Sequence, residues 1–511
     1  MNKKFLILFI LITALIVYAL TNKAIPGNIN SNSPEIAPPF TGENSAFELS
    51  HERSSYATLV ALDETGRTDL GPRLGDGAAP DAGYYRGKYY SFFPPGLAFT
   101  GWPLYEIGKQ FNHSLAAAYF IVGIFGAIGL VVLFKICDEI FGFPHWLSLF
   151  VALSTGLAST YLNFSITFYQ HVPTACLLLI GFYSAWRYGK YHNWAWAAIC
   201  WSAYGAASFF DYPNLIMFLP VIFYLIYQGV YLSKEGDKIK AGIKNSLVIS
   251  AIFLVLLGGA HMYYNQVNYG SWSKFSNTLP RFNPREEGGG TDELESNDIE
   301  QVADDKSKVS FALKETNLAK GFFVLLFDFD KSLLLHMPIF LLALLGIYKV
   351  RKNLNIDVVV VMLVIAGNIL LYSSFFDPWG GWGFGPRYLV PCMPFFNILV
   401  GFWLQRAGFL KRLLVLPIVM YSSFVAILGA VTKNFLVPKV EVLALNLPYK
   451  FWSEFKFLWV NQNGTLIYNE FLKDKISLAD YFVILVSFVI LIFLVVLFVL
   501  PYTKYGNKTQ Q

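Results

Sequence analysis

"HSLAAAYFIVGIFGAIGLVVLFKI", His113–Ile136, has no proline and a single permanently charged residue, Lys135 near its end. A helix needs about 20 apolar residues to cross the hydrocarbon core of a bilayer, and this run exceeds that. Runs of the same character lie on either side, at Phe5–Leu20, His145–Leu162, Ser165–Trp186, Trp194–Phe210, Asn214–Leu232, Leu247–Tyr264, Leu333–Tyr348, Val358–Phe375, Leu389–Leu404, Leu413–Val431 and Tyr481–Leu500, making twelve. The composition agrees: 55% of the 511 residues are hydrophobic, 17% aromatic and only 14% charged. Soluble domains carry roughly 25% charged residues, so a soluble reading is excluded. The expected fold class is an all-α membrane protein of about twelve transmembrane helices, with an extracytoplasmic loop face that carries amphipathic interfacial helices.

Charge sets the expected orientation. With the basic end "MNKK" inside, alternate connections contain or adjoin Lys135, then Arg187 and Lys190, then Lys234, Lys238, Lys240 and Lys244, then Lys349, Arg351 and Lys352, then Arg406, Lys411 and Arg412. Each connection assigned to the cytoplasm therefore has a base beside it, as the positive-inside rule requires, with Asp138 and Glu139 making the first the least basic. The net charge of +5 is thus read as topology, and no nucleic-acid signature accompanies it. Cys137, Cys176, Cys200 and Cys392 lie in or beside spans without CxxC spacing, and read as small apolar residues.

The chain then divides into an N-terminal anchor (1–20), a first external loop expected to be catalytic (21–112), spans two to seven (113–265), an acidic flexible external loop (266–332), spans eight to eleven (333–431) with a compact external loop at 376–387, a further external loop (432–480), and a last span with a basic cytoplasmic tail (481–511). Retention of the first segment is preferred to its cleavage as a signal peptide, because twelve spans return the basic C-terminus to the inside. Within Arg281–Ser310, "REEGGGTDELESNDIEQVADDKSK" is acidic and nearly free of large apolar residues, which predicts a mobile solvated loop.

The long connections fall outside, and function is sought there. "PDAGYYRGKYYSFFPPGLAF", Pro80–Phe99, reads as two short aromatic strands around a turn at Arg86-Gly87, a Pro-Pro-Gly stop and the start of an interfacial helix. Upstream, "FELSHERSSYATLVALDETGRTDL" sets Tyr56, Leu59, Val60 and Leu62 at helical spacing. Glu48, Glu52, Arg53 and Glu64 decorate the other side, as on an amphipathic surface helix with a wet charged face. The loop "FDPWGGWGFGPR", Phe376–Arg387, carries two tryptophans and four glycines and ends on an arginine above the tenth span. An arginine fork placed there suits bidentate contact with a phosphate, or else snorkels to a headgroup. His171, in "SITFYQHVPTA", and Asp211, in "FFDYPN", enter spans from the outside and are either structural hydrogen-bonding residues or site groups.

Taken in order, "HERSSYATLVALDETG", "GKYYSFFPPGL", "FYQHVPTA", "YYNQVNYGSW" and "GWGFGPRYLVPCMPF" resemble the GT-C superfamily of polytopic membrane glycosyltransferases, especially relatives of the protein O-mannosyltransferases and the aminoarabinose transferases of lipid A. The departures are His51-Glu52-Arg53 with Tyr56, where Glu52 would replace the usual aspartate, and Phe93, where the aminoarabinose transferases tend to have lysine. The resemblance implies transfer of a sugar from a polyprenyl-phosphate donor to an extracytoplasmic glycan, lipid or protein acceptor, at the surface of the lipid bilayer. A carboxylate would position or deprotonate the acceptor and cations would stabilise the departing lipid phosphate. On that reading Asp81 and Glu52 are the candidate bases, Lys88, Arg53 and Arg387 the candidate phosphate clamps, and Tyr56, Tyr90 and His171 further substrate-binding positions. No organic cofactor is implied, and a divalent metal stays open because such carboxylates serve either as base or as ligand. The neighbouring reading is a glycan ligase or polymerase using a polyprenyl-diphosphate carrier. A lipid or solute transporter is the rival from another class, weakened by the lack of an internal repeat, and a noncatalytic membrane scaffold is the third.

Overall fold

The computed structural model describes residues 3–36, 47, 49–235, 238–280, 317–329, 331–352, 354–375, 377–381, 383–432, 455, 458–459 and 464–502. The stretch quoted first forms a helix, Ser114–Glu139, and the other apolar runs also fall on helices, several of them interrupted. Among the described residues seven helices are long and apolar enough to cross a membrane: Lys3–Leu20, Ser114–Glu139, Asn245–Tyr269, Ile356–Ser373, Arg387–Leu404, Phe409–Val431 and Leu478–Tyr502. His145–Leu157, Asn214–Gly229, Leu318–Phe327 and Pro338–Val350 are shorter apolar helices. The molecule is polytopic on this ground, while the count of twelve rests on the sequence pattern.

Small residues let the helices approach closely. A Cβ at Gly346, in Leu341–Val350, would lie 1.9 Å from the Leu399 carbonyl oxygen of Met393–Leu404. Such contacts substitute for the hydrophobic driving force that lipid does not supply between helices. The four cysteines are free and buried, in line with their reading as apolar residues.

The helix ends sort the charges. At one end Lys3 pairs with Asp138 at 2.7 Å and Glu139 at 2.5 Å, Arg187 with Glu139 at 3.1 Å, and His145 with Asp138 at 3.3 Å. The acids that diluted the first basic connection are thereby offset. Lys349 also lies at this end, donating to the Gln405 carbonyl at 2.7 Å, as does Arg412, which donates to the Tyr502 hydroxyl at 2.9 Å. Thr21, Asp211, Phe375, Arg387 and Thr432 follow or precede the same helices at their other ends.

That second end is covered by a layer built from the first long connection. It comprises α1's successors in the chain: with α1 as Lys3–Leu20, these are α2 (Ser50–Thr65), α3 (Pro72–Ala78), the strands β1 (Ala82–Tyr85) and β2 (Lys88–Ser91), and α4 (Gly96–Gln110). The strands pair antiparallel, Ala82 opposite Ser91 and Tyr85 opposite Lys88, around the expected turn. Arg86 at φ 49° and Gly87 at φ 76° supply the two left-handed residues that a tight hairpin turn needs. Behind it, "PPG" ends at Gly96 because the backbone there touches the end of another helix. Its N–H donates to the Phe209 carbonyl at 2.7 Å, and a Cβ would lie 2.4 Å from that oxygen.

Two expectations are corrected. The helix α2 is where the periodicity put it, but its charges are not a wet face. Glu52 is 0% exposed and Arg53 8%, because α3, the hairpin and α4 close over the helix, whereas Glu64 is exposed. The segment 266–332 is not all loop either, since Leu318–Phe327 is an apolar helix packed on Ile356–Ser373. There a Cβ at Gly321 would fall 2.1 Å from the Ser373 carbonyl oxygen. Glu48, the acidic stretch Arg281–Ser310, most of 432–480 and the basic tail lie outside the described residues.

Candidate functional site

The loop before the tenth predicted span is shaped by glycine. Gly380, Gly381 and Gly385 have φ of 74°, 62° and 66°, the left-handed region closed to most side chains. Asp377 ties the loop by accepting from the Gly381 N–H at 3.1 Å. The result is that Arg387 leaves the loop directly over the polar layer. Its Nη1 donates to the Tyr169 hydroxyl and its Nη2 to the Tyr388 hydroxyl at 3.3 Å, while Nε has no partner among the described residues. Beneath the same loop, the buried Lys331 donates from Nζ to the Gly383 carbonyl and lies 4.4 Å from the centre of the Trp379 ring.

Opposite the cations stands a ladder of rings. His51, in the first turn of α2, stacks on Phe93 with centroids 3.3 Å apart and meets Tyr169 at 4.1 Å. Tyr169 in turn stacks on His171 at 5.4 Å, and His171 meets the edge of Tyr388 at 6.1 Å. Burial first, then the Arg387 charge, hold the His51 imidazole well below its usual range, so it is neutral at pH 7.

The carboxylates close the constellation. Asp81, half-buried just ahead of β1, accepts from the Ser50 hydroxyl at 2.6 Å. Glu52 uses Oε2 to accept from the Leu49 N–H at 3.2 Å, a capping contact at the start of α2. The charges of Arg387, Glu52 and Asp81 all reach the Tyr169 hydroxyl. On the far side Asp211 accepts from the Gln170 amide at 3.1 Å, and burial pushes its carboxyl up to about 6.

The structure therefore brings Asp81, Glu52, His171 and Arg387 together, but it takes four other predicted residues elsewhere. Arg53 donates to the carbonyls of Gly77 and, at 2.5 Å, Ala79, so its fork holds the turn behind α3 rather than facing Arg387. Tyr56 points into the core and donates to the Ile29 carbonyl at 2.9 Å. Tyr90 packs in a small cluster with Tyr269 and Leu279. Lys88, at the exposed end of the hairpin, pairs with Asp69 at 3.3 Å. The resemblance assigns each to the site, whereas alternation along β2 and helical rotation along α2 send it to another face. Sequence reasoning passed over His51, Tyr169, Tyr388 and Lys331 as site groups. Tyr169 and Tyr388 had a signal, each sitting within two residues of a chosen residue; Lys331, a base just after Asp328 and Asp330, had none. Among the described residues no three His, Cys, Asp or Glu side chains gather as a metal-binding group.

No family model and no curated protein matches the chain. Solved structures do. ArnT from Cupriavidus metallidurans in the apo state superposes with a TM-score of 0.50 over 96% of this chain and 76% of its own, at 14% sequence identity. The chain has the fold of ArnT. ArnT bound to undecaprenyl phosphate gives 0.46 at 13% identity over the same shares, 96% and 76%. The archaeal oligosaccharyltransferase AglB from Archaeoglobus fulgidus, in complex with an inhibitory peptide and a dolichol-phosphate, gives 0.41 at 11% identity, over 95% of this chain and 56% of its own. ArnT, the lipid A aminoarabinose transferase, is a GT-C member, and the likeness of this chain to it is one of fold.

Proposed function

We propose that the protein is an integral membrane glycosyltransferase that moves a sugar from a polyprenyl-phosphate donor to an acceptor at the extracytoplasmic face. The observation that carries this reading is the juxtaposition at one end of the bundle: Arg387 on its glycine-built loop, with carboxylates from the first connection across the Tyr169 ring. The donor's isoprenoid tail would lie among the apolar helices and its phosphate at Arg387, whose Nε and remaining N–H groups are suited to phosphate oxygens. In transfer, an acceptor oxygen or nitrogen forms a bond to the anomeric carbon, the bond from that carbon to the phosphate oxygen breaks, and the acceptor's proton passes to a carboxylate. Polyprenyl phosphate leaves with one more negative charge, which Arg387 and the nearby Lys331 favour in a site of low dielectric.

Asp81 suits the base better than Glu52. It is half-buried and held by a hydroxyl, whereas Glu52 is fully buried with one oxygen committed to the cap of α2. The fold of ArnT supports the lipid-linked donor, since a structure of that protein contains undecaprenyl phosphate. The test is to incubate the purified protein in nanodiscs with a panel of radiolabelled polyprenyl-phosphate sugars and membrane acceptors. Labelled acceptor together with released polyprenyl phosphate is the expected result; folded protein that yields neither across the panel would favour the scaffold or transporter readings.

A further inference from the structure

We infer that His51 takes up a proton when a lipid-linked phosphate docks beside Arg387, so that a neutral imidazole becomes a charged donor to the phosphate. The inference rests on the reading of this site as a phosphate site. It starts from geometry. The His51 ring is clamped between Phe93 at 3.3 Å and Tyr169 at 4.1 Å, and Tyr169 is itself the acceptor of the Arg387 Nη1 bond. The side chain is 4% exposed and its Nε2 has no hydrogen-bond partner among the described residues. A buried ring nitrogen without a partner costs free energy, and its position one ring from Arg387 gives that cost a use when an anion arrives.

The groups around it fix the direction of the effect. From the segment before α4 comes only the uncharged Phe93; from the approach to the helix His171–Tyr191 come Tyr169 and His171; from the glycine loop come Arg387 and Tyr388. On its own helix Glu52 caps the first turn, Arg53 is turned to the Gly77 and Ala79 carbonyls, and Ser50 is bonded to Asp81. Burial, then the Arg387 charge, and with them the α2 N-terminus, oppose an imidazolium here. A phosphate monoester brings a charge of about −1.5 to −2, enough to reverse the sign of the local field. The proton comes from solvent, and the ring then supplies a charge-assisted hydrogen bond of the kind that strengthens as the phosphate becomes a leaving group.

The test titrates purified protein in nanodiscs with undecaprenyl phosphate, calorimetrically, in two buffers of different ionisation enthalpy. Net proton uptake on binding is expected, with Kd tightening by up to about tenfold per pH unit as pH falls from about 8 towards the ordinary imidazole value of 6.5. The phosphate itself, with a second pKa near 6, contributes little over that window. His51→Phe keeps a ring in the stack and should bind without proton uptake, while His171→Phe should retain it. Binding by the wild type without uptake, uptake that survives in His51→Phe, or uptake lost only in His171→Phe would each overturn the inference. No binding at any pH would overturn the reading of the site itself, and with it this inference. Should His51→Phe fail to fold, the wild-type pH dependence together with the His171→Phe arm still decides.

Discussion

On the proposed function, Asp81 and Glu52 are two carboxylates of one connection that compete for the role of base, and their surroundings separate them. Removing a general base commonly costs about 10²–10⁴-fold in rate. Asp81→Asn is expected to lose turnover on that scale while keeping donor affinity; Glu52→Gln should act mainly on α2, visible as a lower melting temperature, because it weakens a capping contact. Turnover and donor binding, measured separately at matched expression, check both. Arg387→Lys keeps the charge but loses the planar fork that spans the Tyr169 and Tyr388 hydroxyls, and a fall of about 10²-fold in kcat is expected. His51 makes stability depend on pH. Its folded-state pKa lies below the unfolded value of 6.5, so beneath that pH the unfolded chain binds a proton that the folded chain refuses. The stability of the ligand-free protein should be complete above pH 6.5 and fall as pH drops, by at most about 1.4 kcal/mol per unit from this group. Melting scans across that range, with His51→Phe flattening the slope, measure it.

At the scale of elements, close helix contacts depend on single hydrogen-for-methyl differences. Gly346→Ala places a methyl carbon 1.9 Å from the Leu399 carbonyl oxygen, backbone against backbone, so Leu341–Val350 must move away from Met393–Leu404. Overpacking of this kind costs typically about 1–3 kcal/mol. The expected outcome is a lower melting temperature in detergent, whereas Gly367→Ala, on a face with nothing within 4 Å of the added carbon, should change little. The layer of α2, α3, β1, β2 and α4 shows how far element reading reaches. The hairpin was legible because Arg-Gly between aromatic runs has one good backbone solution. The burial of Glu52 and Arg53 was not, because helical periodicity shows that a charged face exists but not that another part of the chain will cover it.

At the scale of the whole molecule, the charge pattern and the helix ends agree on two faces. Lys88 lies on the layer above the site and Arg351 follows the helix that ends in the Lys349 contact to Gln405. With the four native cysteines buried, single cysteines at these positions should report cleanly to a membrane-impermeant thiol reagent. Lys88→Cys should label from outside intact cells and Arg351→Cys only after permeabilisation. Labelling of both from the same side would defeat the orientation, and with it an extracytoplasmic site.

By itself the sequence determined that the chain is a polytopic helical membrane protein and where most of its helices run. Hydropathy and loop charge are local sums over neighbouring residues, and the bilayer imposes them on any chain. It also singled out Asp81, Glu52, His171 and Arg387. The tertiary structure alone decided which residues share the site. Phe93, His51, Tyr169 and Arg387 come from segments far apart in the chain, and their contact is set by how the first connection packs onto the helix ends. The same packing turns Arg53, Tyr56, Tyr90 and Lys88 away, although they neighbour the site in sequence. A side chain's direction depends on rotation about its helix or alternation along its strand, and its partners on long-range packing, neither of which adjacency encodes.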